Sequence, residues 1–117
     1  YCFRGQQYIL ANHEYTNGCK SQYMDFPVRM RATPTSTVIG STSWVTAGTS
    51  GNQAAFYDRV ASGYATITGA LTMSGNAYSP DRFNVLASAA ASFSGTTPSH
   101  GSLDIGSAFY VYFDAEL

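Results

Sequence analysis

The stretch that decides the fold is "SAFYVYFDAEL", residues 107–117. Phe109, Val111, Phe113, Ala115 and Leu117 fall on one parity, and Tyr110, Tyr112, Asp114 and Glu116 on the other. Successive side chains of a β-strand point to opposite faces of its sheet, so this alternation predicts a strand with one apolar and one polar face. Its regularity places it in the middle of a sheet. The same period recurs upstream. In "GYATITGALTMSG" (63–75), Ala65, Ile67, Gly69, Leu71 and Met73 oppose Thr66, Thr68, Ala70 and Thr72. In "RFNVLASAAASF" (82–93), Phe83, Val85, Ala87, Ala89, Ala91 and Phe93 share one face.

Shorter runs complete the pattern. Tyr1 to Leu10 reads as a first strand, "NHEYTNG" (12–18) as a loop closed by Asn17-Gly18, and Cys19 to Val28 as the returning strand. In that second strand Met24, Phe26, Val28 and Met30 oppose Tyr23, Asp25, Arg29 and Arg31, with Pro27 marking an edge, bulge or end. "TSTVIG" (35–40), "TSWVTAG" (42–48) and "AAFYDRV" (54–60) are further strands. "GTSGNQ" (48–53), "NAYSPD" (76–81) and "SGTTPSHGS" (94–102) are loops by composition. Nine Tyr and seven Phe suit pleated, half-buried surfaces, while Lys20, Glu14 and Glu116 are the only Lys and Glu residues available for exposed helix faces. The prediction is all-β: one antiparallel β-sandwich of about eight strands, jelly-roll-like, spanning residues 1–117 as a single domain, with an open barrel as the alternative.

Charge narrows the function classes. A formal net charge of −1, with 11% charged residues, gives no basic face for nucleic acid. No apolar run approaches the ~20 residues of a membrane-spanning helix, so no membrane insertion is expected. The chain starts at Tyr1 rather than Met, which suits a fragment or a processed product. Cys2 and Cys19 are candidates for a disulfide if the first two strands form a hairpin; it would close a loop of about 17 residues worth roughly 3 kcal/mol. In a reducing compartment they would stay free thiols.

Two motifs carry a resemblance. "FPVRMRATPT" (26–35), through Phe26, Pro27, Met30, Arg31, Pro34 and Thr35, resembles a signature of small C-terminal domains in tailed-phage structural proteins. The "DAEL" ending, Asp114 to Leu117, resembles the ending of such chains, and "YCFRG" their aromatic start. The resemblance implies a β-sandwich at the distal end of a tail fibre or tail tip, the C-terminal part of a longer or processed virion protein. It implies assembly with its own copies, as a homotrimer or higher, and with other virion proteins. The expected ligand is a host cell-surface glycan or other receptor, bound outside the cell. A structural virion role, as a capsid decoration or fibre-capping domain, is the alternative, and a capsule-degrading hydrolase a more distant one.

Catalysis has little support in the residues. His13 and His100 sit in loop-like sequence, outside any G-x-S-x-G or H-E-x-x-H pattern. There is no D-x-D-x-D-G calcium loop, and no cofactor is implied. Glycan binding asks for aromatic faces ringed by amides and charges. The candidates are Trp44, Asn52, Gln53, Tyr57, Asp58, Arg59, Tyr78 and Asp81, weighed against Trp44 as core and Asp58–Arg59 as a surface or interface pair. Tyr110 and Tyr112 are candidates for a subunit contact. Arg29 and Arg31 read as framework, so Arg31→Ala is expected to affect stability or assembly more than binding.

Overall fold

Aromatic and β-branched residues alternate with small polar ones along most of the chain, and the described residues form strands and no helix. The computed structural model describes residues 1–117 except 7, 16, 17, 40–42, 47, 48, 50, 91, 95–97, 116 and 117, and omits the side chains of 14, 15 and 39. The strands are β1 (Cys2–Arg4), β2 (Ile9–Tyr15), β3 (Gly18–Ser21), β4 (Met24–Asp25), β5 (Thr35–Ile39), β6 (Ser43–Trp44), β7 (Gln53–Asp58), β8 (Gly63–Tyr64), β9 (Ile67–Thr68), β10 (Leu71–Ala77), β11 (Arg82–Ala89), β12 (Ser92–Phe93), β13 (Ser99–Ile105) and β14 (Tyr110–Asp114). They make a large sheet in the order β10-β11-β3-β2-β13-β7-β6, with β4 beside β11 and β8 beside β7, a small sheet β1-β14-β5, and a β9–β12 ribbon. Pairing is antiparallel except between β6 and β7.

The parity read from the sequence carries through to burial. Phe83, Val85, Ala87 and Ala89 of β11 are buried, as are Phe109, Val111 and Phe113 at and in β14, while Tyr112 and Asp114 are exposed. β14 is the central strand of its sheet. The inner faces of the two sheets close on an aromatic cluster. Phe26 stacks on Phe83 at 4.8 Å, Phe113 lies 4.8 Å from Phe83 and 5.2 Å from Phe26, and Phe3 meets Phe83 at 5.6 Å. Gly75 lets β10 approach this core: a Cβ there would fall 2.7 Å from Val111 Cγ1 and 3.2 Å from the tip of Phe113.

Several expectations are corrected. The first strand does not run from 1 to 10. It breaks at Gly5, where a Cβ would lie 2.1 Å from the Gly106 carbonyl oxygen. β1 then pairs with β14 in the small sheet, and β2 with β3 and β13 in the large one. Cys2 is therefore exposed on one sheet and Cys19 buried in the other, and of the two readings of the pair, disulfide or free thiols, the structure has free thiols. Residues 12–15, expected in a loop, extend β2; Tyr15 pairs with Gly18, and Asn17 lies outside the described residues. The strand expected to reach Val28 ends at Asp25, so Val28 is exposed. Residues 99–102 belong to β13 rather than to a loop, because their ladder partners are strands β2 and β7 on either side. The expected eight strands resolve into fourteen short ranges, since breaks at Gly69 and Ala90 divide the longer runs. Glu116 and Leu117 of the C-terminal motif, and Ala91, lie outside the described residues.

The segment 26–34 is held by main-chain bonds to the β10–β11 turn. Phe26 N–H donates to the Asp81 carbonyl (2.8 Å) and Met30 N–H to that of Pro80 (2.9 Å). The ion pairs here, Arg29–Asp81 and Arg82–Asp25, are exposed and worth about 0–1 kcal/mol each. Phe83→Ala should lower unfolding free energy by about 3–5 kcal/mol in urea titration. Arg29→Ala should lower it by no more than about 1 kcal/mol. Equal effects would mean that the aromatic cluster does not join the sheets.

Candidate ligand site

The site begins with a register fault. On β11, Leu86 faces Lys20 of β3, whereas Phe83 faces Met24 of β4. Three steps along β11 thus oppose four along the other chain, which is a β-bulge within residues 21–23. Ser21 repairs the ladder with its side chain. Its hydroxyl oxygen accepts the Val85 N–H (2.8 Å), and its O–H donates to the Gln22 carbonyl (3.0 Å). Gln22 N–H meanwhile bonds the Leu10 carbonyl at 2.8 Å. The extra residue turns Gln22 and Tyr23 outward, and both are exposed on the outer face of the large sheet.

Around that bulge lies a cavity of about 400 Å³. Tyr23 and Tyr78 form one wall, in edge-to-face contact at 5.0 Å and about half exposed. Gln22, Asn12 and Lys20 supply amides and an ammonium, and Asn84 lines the cavity from within β11. Asn84 is 3% exposed, and its Oδ1 has no hydrogen-bond partner. That oxygen is itself closed to solvent, and a buried carbonyl oxygen left without a donor costs roughly 1–3 kcal/mol. The constellation can stack an apolar face on tyrosine and satisfy polar groups with amides.

The predicted candidates do not converge here, apart from Tyr78. Trp44 packs on the inner face, 5.0 Å from Phe93, and donates Nε1–H to the Ala65 carbonyl (2.7 Å), so it is part of the core's edge. Asp58 is also buried. Its Oδ1 accepts the N–H groups of Val60 (2.9 Å) and Ala61 (3.0 Å), which shapes the β7–β8 turn and removes it from any surface site. Arg59 and Asn52 are exposed, but their main chains bind the framework through His100 and Ser43. Gln53 is half-buried, and its carbonyl accepts from Gly106. Tyr57 meets Tyr64 at 5.2 Å on the outer face of β7. Asp81 is tied to Arg29. Tyr110 is half-buried under the Arg4 guanidinium, 4.3 Å from its ring, while Tyr112 stays exposed. Asn12, Lys20, Gln22, Tyr23 and Asn84 were missed, because the bulge that gathers them exists only in the pairing of β11 with β3 and β4.

A second polar group lies inside. His13, Cys19 and Asp58 are each no more than 1% exposed, and Ser99, the ladder partner of His13, is buried too. His13 packs edgewise on Phe56 and Phe93, its two ring nitrogens without partners. The residue types suggest a nucleophile, a base and an acid, but the thiol is pushed up to about 12, first by burial and then by the Asp58 charge. A thiol held protonated and sealed from solvent is no nucleophile at neutral pH.

No protein-family model, curated protein or solved structure matches the chain.

A thiol reagent should therefore modify Cys2 alone in the native protein and both cysteines in denaturant; two fast native thiols would contradict the buried placement of Cys19. Between the ordinary value of 9.0 and about 12, the unfolded chain has lost the Cys19 proton and the folded chain keeps it. Stability should fall as pH rises through that window, and Cys19→Ala should flatten part of the fall in denaturation curves taken at pH 8 to 11.

Proposed function

We propose that this chain is a glycan-binding domain and that it serves as the host-recognition part of a virion appendage. The observation that carries the binding reading is the half-exposed Tyr23–Tyr78 wall with Gln22, Asn12 and Asn84 lining the same cavity. A sugar ring presents a C–H face that stacks on tyrosine and hydroxyl pairs that amides satisfy. The cavity lies on an outer sheet face, open to a cell surface, and its walls come from strand ends and a turn that the core holds in place. The virion reading is supported by the resemblance of residues 26–35 and 114–117 to tailed-phage structural domains. On that reading, copies of the chain meet through the outer face of the small sheet, where Tyr112 is half exposed beside Cys2 and Thr37.

Glycan-array binding and adsorption of the purified protein to bacterial cells test the proposal. Tyr23→Ala and Asn84→Ala should each weaken binding at least tenfold with far-ultraviolet circular dichroism unchanged. Trp44→Phe, on the opposite face, should lower stability by about 1 kcal/mol and leave binding intact. Uniform absence of glycan and cell binding by the folded protein would overturn the reading in favour of a structural role. Loss of binding with Trp44→Phe but not with Tyr23→Ala would place the site elsewhere.

A further inference from the structure

The outer-face cavity does not end at Tyr23. A second cavity of about 290 Å³ continues from it and shares Gln22 and Tyr23 as a common wall. Tyr8, Gln6 and Leu10 also line it. Tyr8 is the unusual residue. Its φ is +60°, a left-handed backbone conformation that a bulky side chain rarely adopts. Its ring is 75% exposed, the most exposed aromatic among the described residues, so packing returns nothing for the strain. The conformation is instead imposed from below. Asp104, 4% exposed on the outer face of β13, accepts the Tyr8 N–H at 2.7 Å through Oδ1. The Gln6 carbonyl is held as well, accepting the Ile105 N–H at 3.0 Å. A strained residue, held by its own N–H and projecting an aromatic ring into solvent beside a cavity, is the pattern of a ligand wall.

We infer that Tyr8 and Tyr23 flank a second sugar subsite, so that the ligand is an oligosaccharide of at least two units lying across Tyr23 and not a single sugar. The inference rests on the glycan reading proposed above. Each cavity is near the lower end of the ~300–1,000 Å³ typical of small-ligand sites, which suits one ring apiece. Tyr78, Tyr23 and Tyr8 then succeed one another along the groove, with Asn84 and Asn12 reading the first unit and Gln22 lying between the two. Asp104 is a positioning residue: it holds Tyr8 and does not line either cavity.

The test uses the full chain and an array printed with glucose, galactose, mannose and N-acetylglucosamine, each as homologous chains of one to five units, followed by calorimetry on the best series. Affinity should rise at least tenfold between one unit and two or three, then level off. Tyr8→Gly is the informative variant, because glycine accepts a positive φ freely. It should keep or raise the melting temperature, retain monosaccharide binding and lose the gain with length. Asp104→Asn should lose part of that gain, and Tyr23→Ala should lose binding at every length. Length-independent binding by the wild type, or a length gain that survives Tyr8→Gly, would overturn the second subsite while leaving the glycan reading standing. No binding at any length would overturn both.

Discussion

The contact on which the rest of the structure depends is the stacking of Phe26, Phe83 and Phe113. Each ring comes from a different part of the chain: the segment after β4, strand β11 of the large sheet, and strand β14 of the small one. With so few charged residues and no disulfide between Cys2 and Cys19, a 117-residue chain must hold two sheets together by apolar burial. The cluster also explains why "FPVRM" leaves the strand. Phe26 is buried against Phe83, while its main chain bonds the β10–β11 turn, so the residues after it lie over that turn and cannot continue alongside β11. Pro27 suits this exit, since it has no N–H to leave unpaired. The arginines of the segment are carried outward to the surface by the same path.

The candidate site is a consequence of that arrangement. Because Phe26 is fixed on one side and β3 on the other, the residues between must absorb a mismatch of one residue against β11. The bulge does so, and Ser21 replaces the lost main-chain bond with its hydroxyl. The cost of irregular pairing is thereby limited, and two side chains that regular alternation would have sent to opposite faces emerge together on the outer face. Tyr78, at the end of the β10–β11 hairpin, then reaches Tyr23 because the same turn anchors Phe26. Core packing and the geometry of the groove are linked through the four residues, 22–25, that separate β3 from Phe26.

Much of the fold was legible from residue parity. The alternation in 82–89 and 109–114 names the buried faces, because period two leaves no other way to segregate Phe and Val from Ser, Asn and Tyr. What was not legible is long-range. Gly5 reads as one glycine among eleven, yet its lack of a Cβ lets β1 cross to the second sheet, and with it Cys2 leaves the vicinity of Cys19. Asp58 next to Arg59 looks like a surface pair, but the turn that follows draws its carboxylate inward to cap two N–H groups. Trp44, the sole tryptophan, reads equally as core or ligand contact until its indole N–H is seen bound to Ala65. The site suffers most, since Tyr23 and Asn84 lie far apart in the chain and share a cavity only through a register fault.

The chain divides its polar groups in a way that bears on function. Inside, Cys19, Asp58 and His13 are enclosed with Phe56 and Phe93 around them, where burial holds the thiol in its neutral form. Outside, Asn84 and Tyr8 are held in positions that local energetics disfavour, one as an orphaned acceptor and the other in a left-handed backbone. An unsatisfied or strained group that merely filled space would be readily replaced: a smaller apolar residue suits position 84 without a ligand, and glycine suits position 8. The two residues line adjoining cavities that share Gln22 and Tyr23. On the proposed reading, a ligand that spans the groove would offset the strain at Tyr8, whereas Ser62, the other left-handed non-glycine among the described residues, serves the β7–β8 turn.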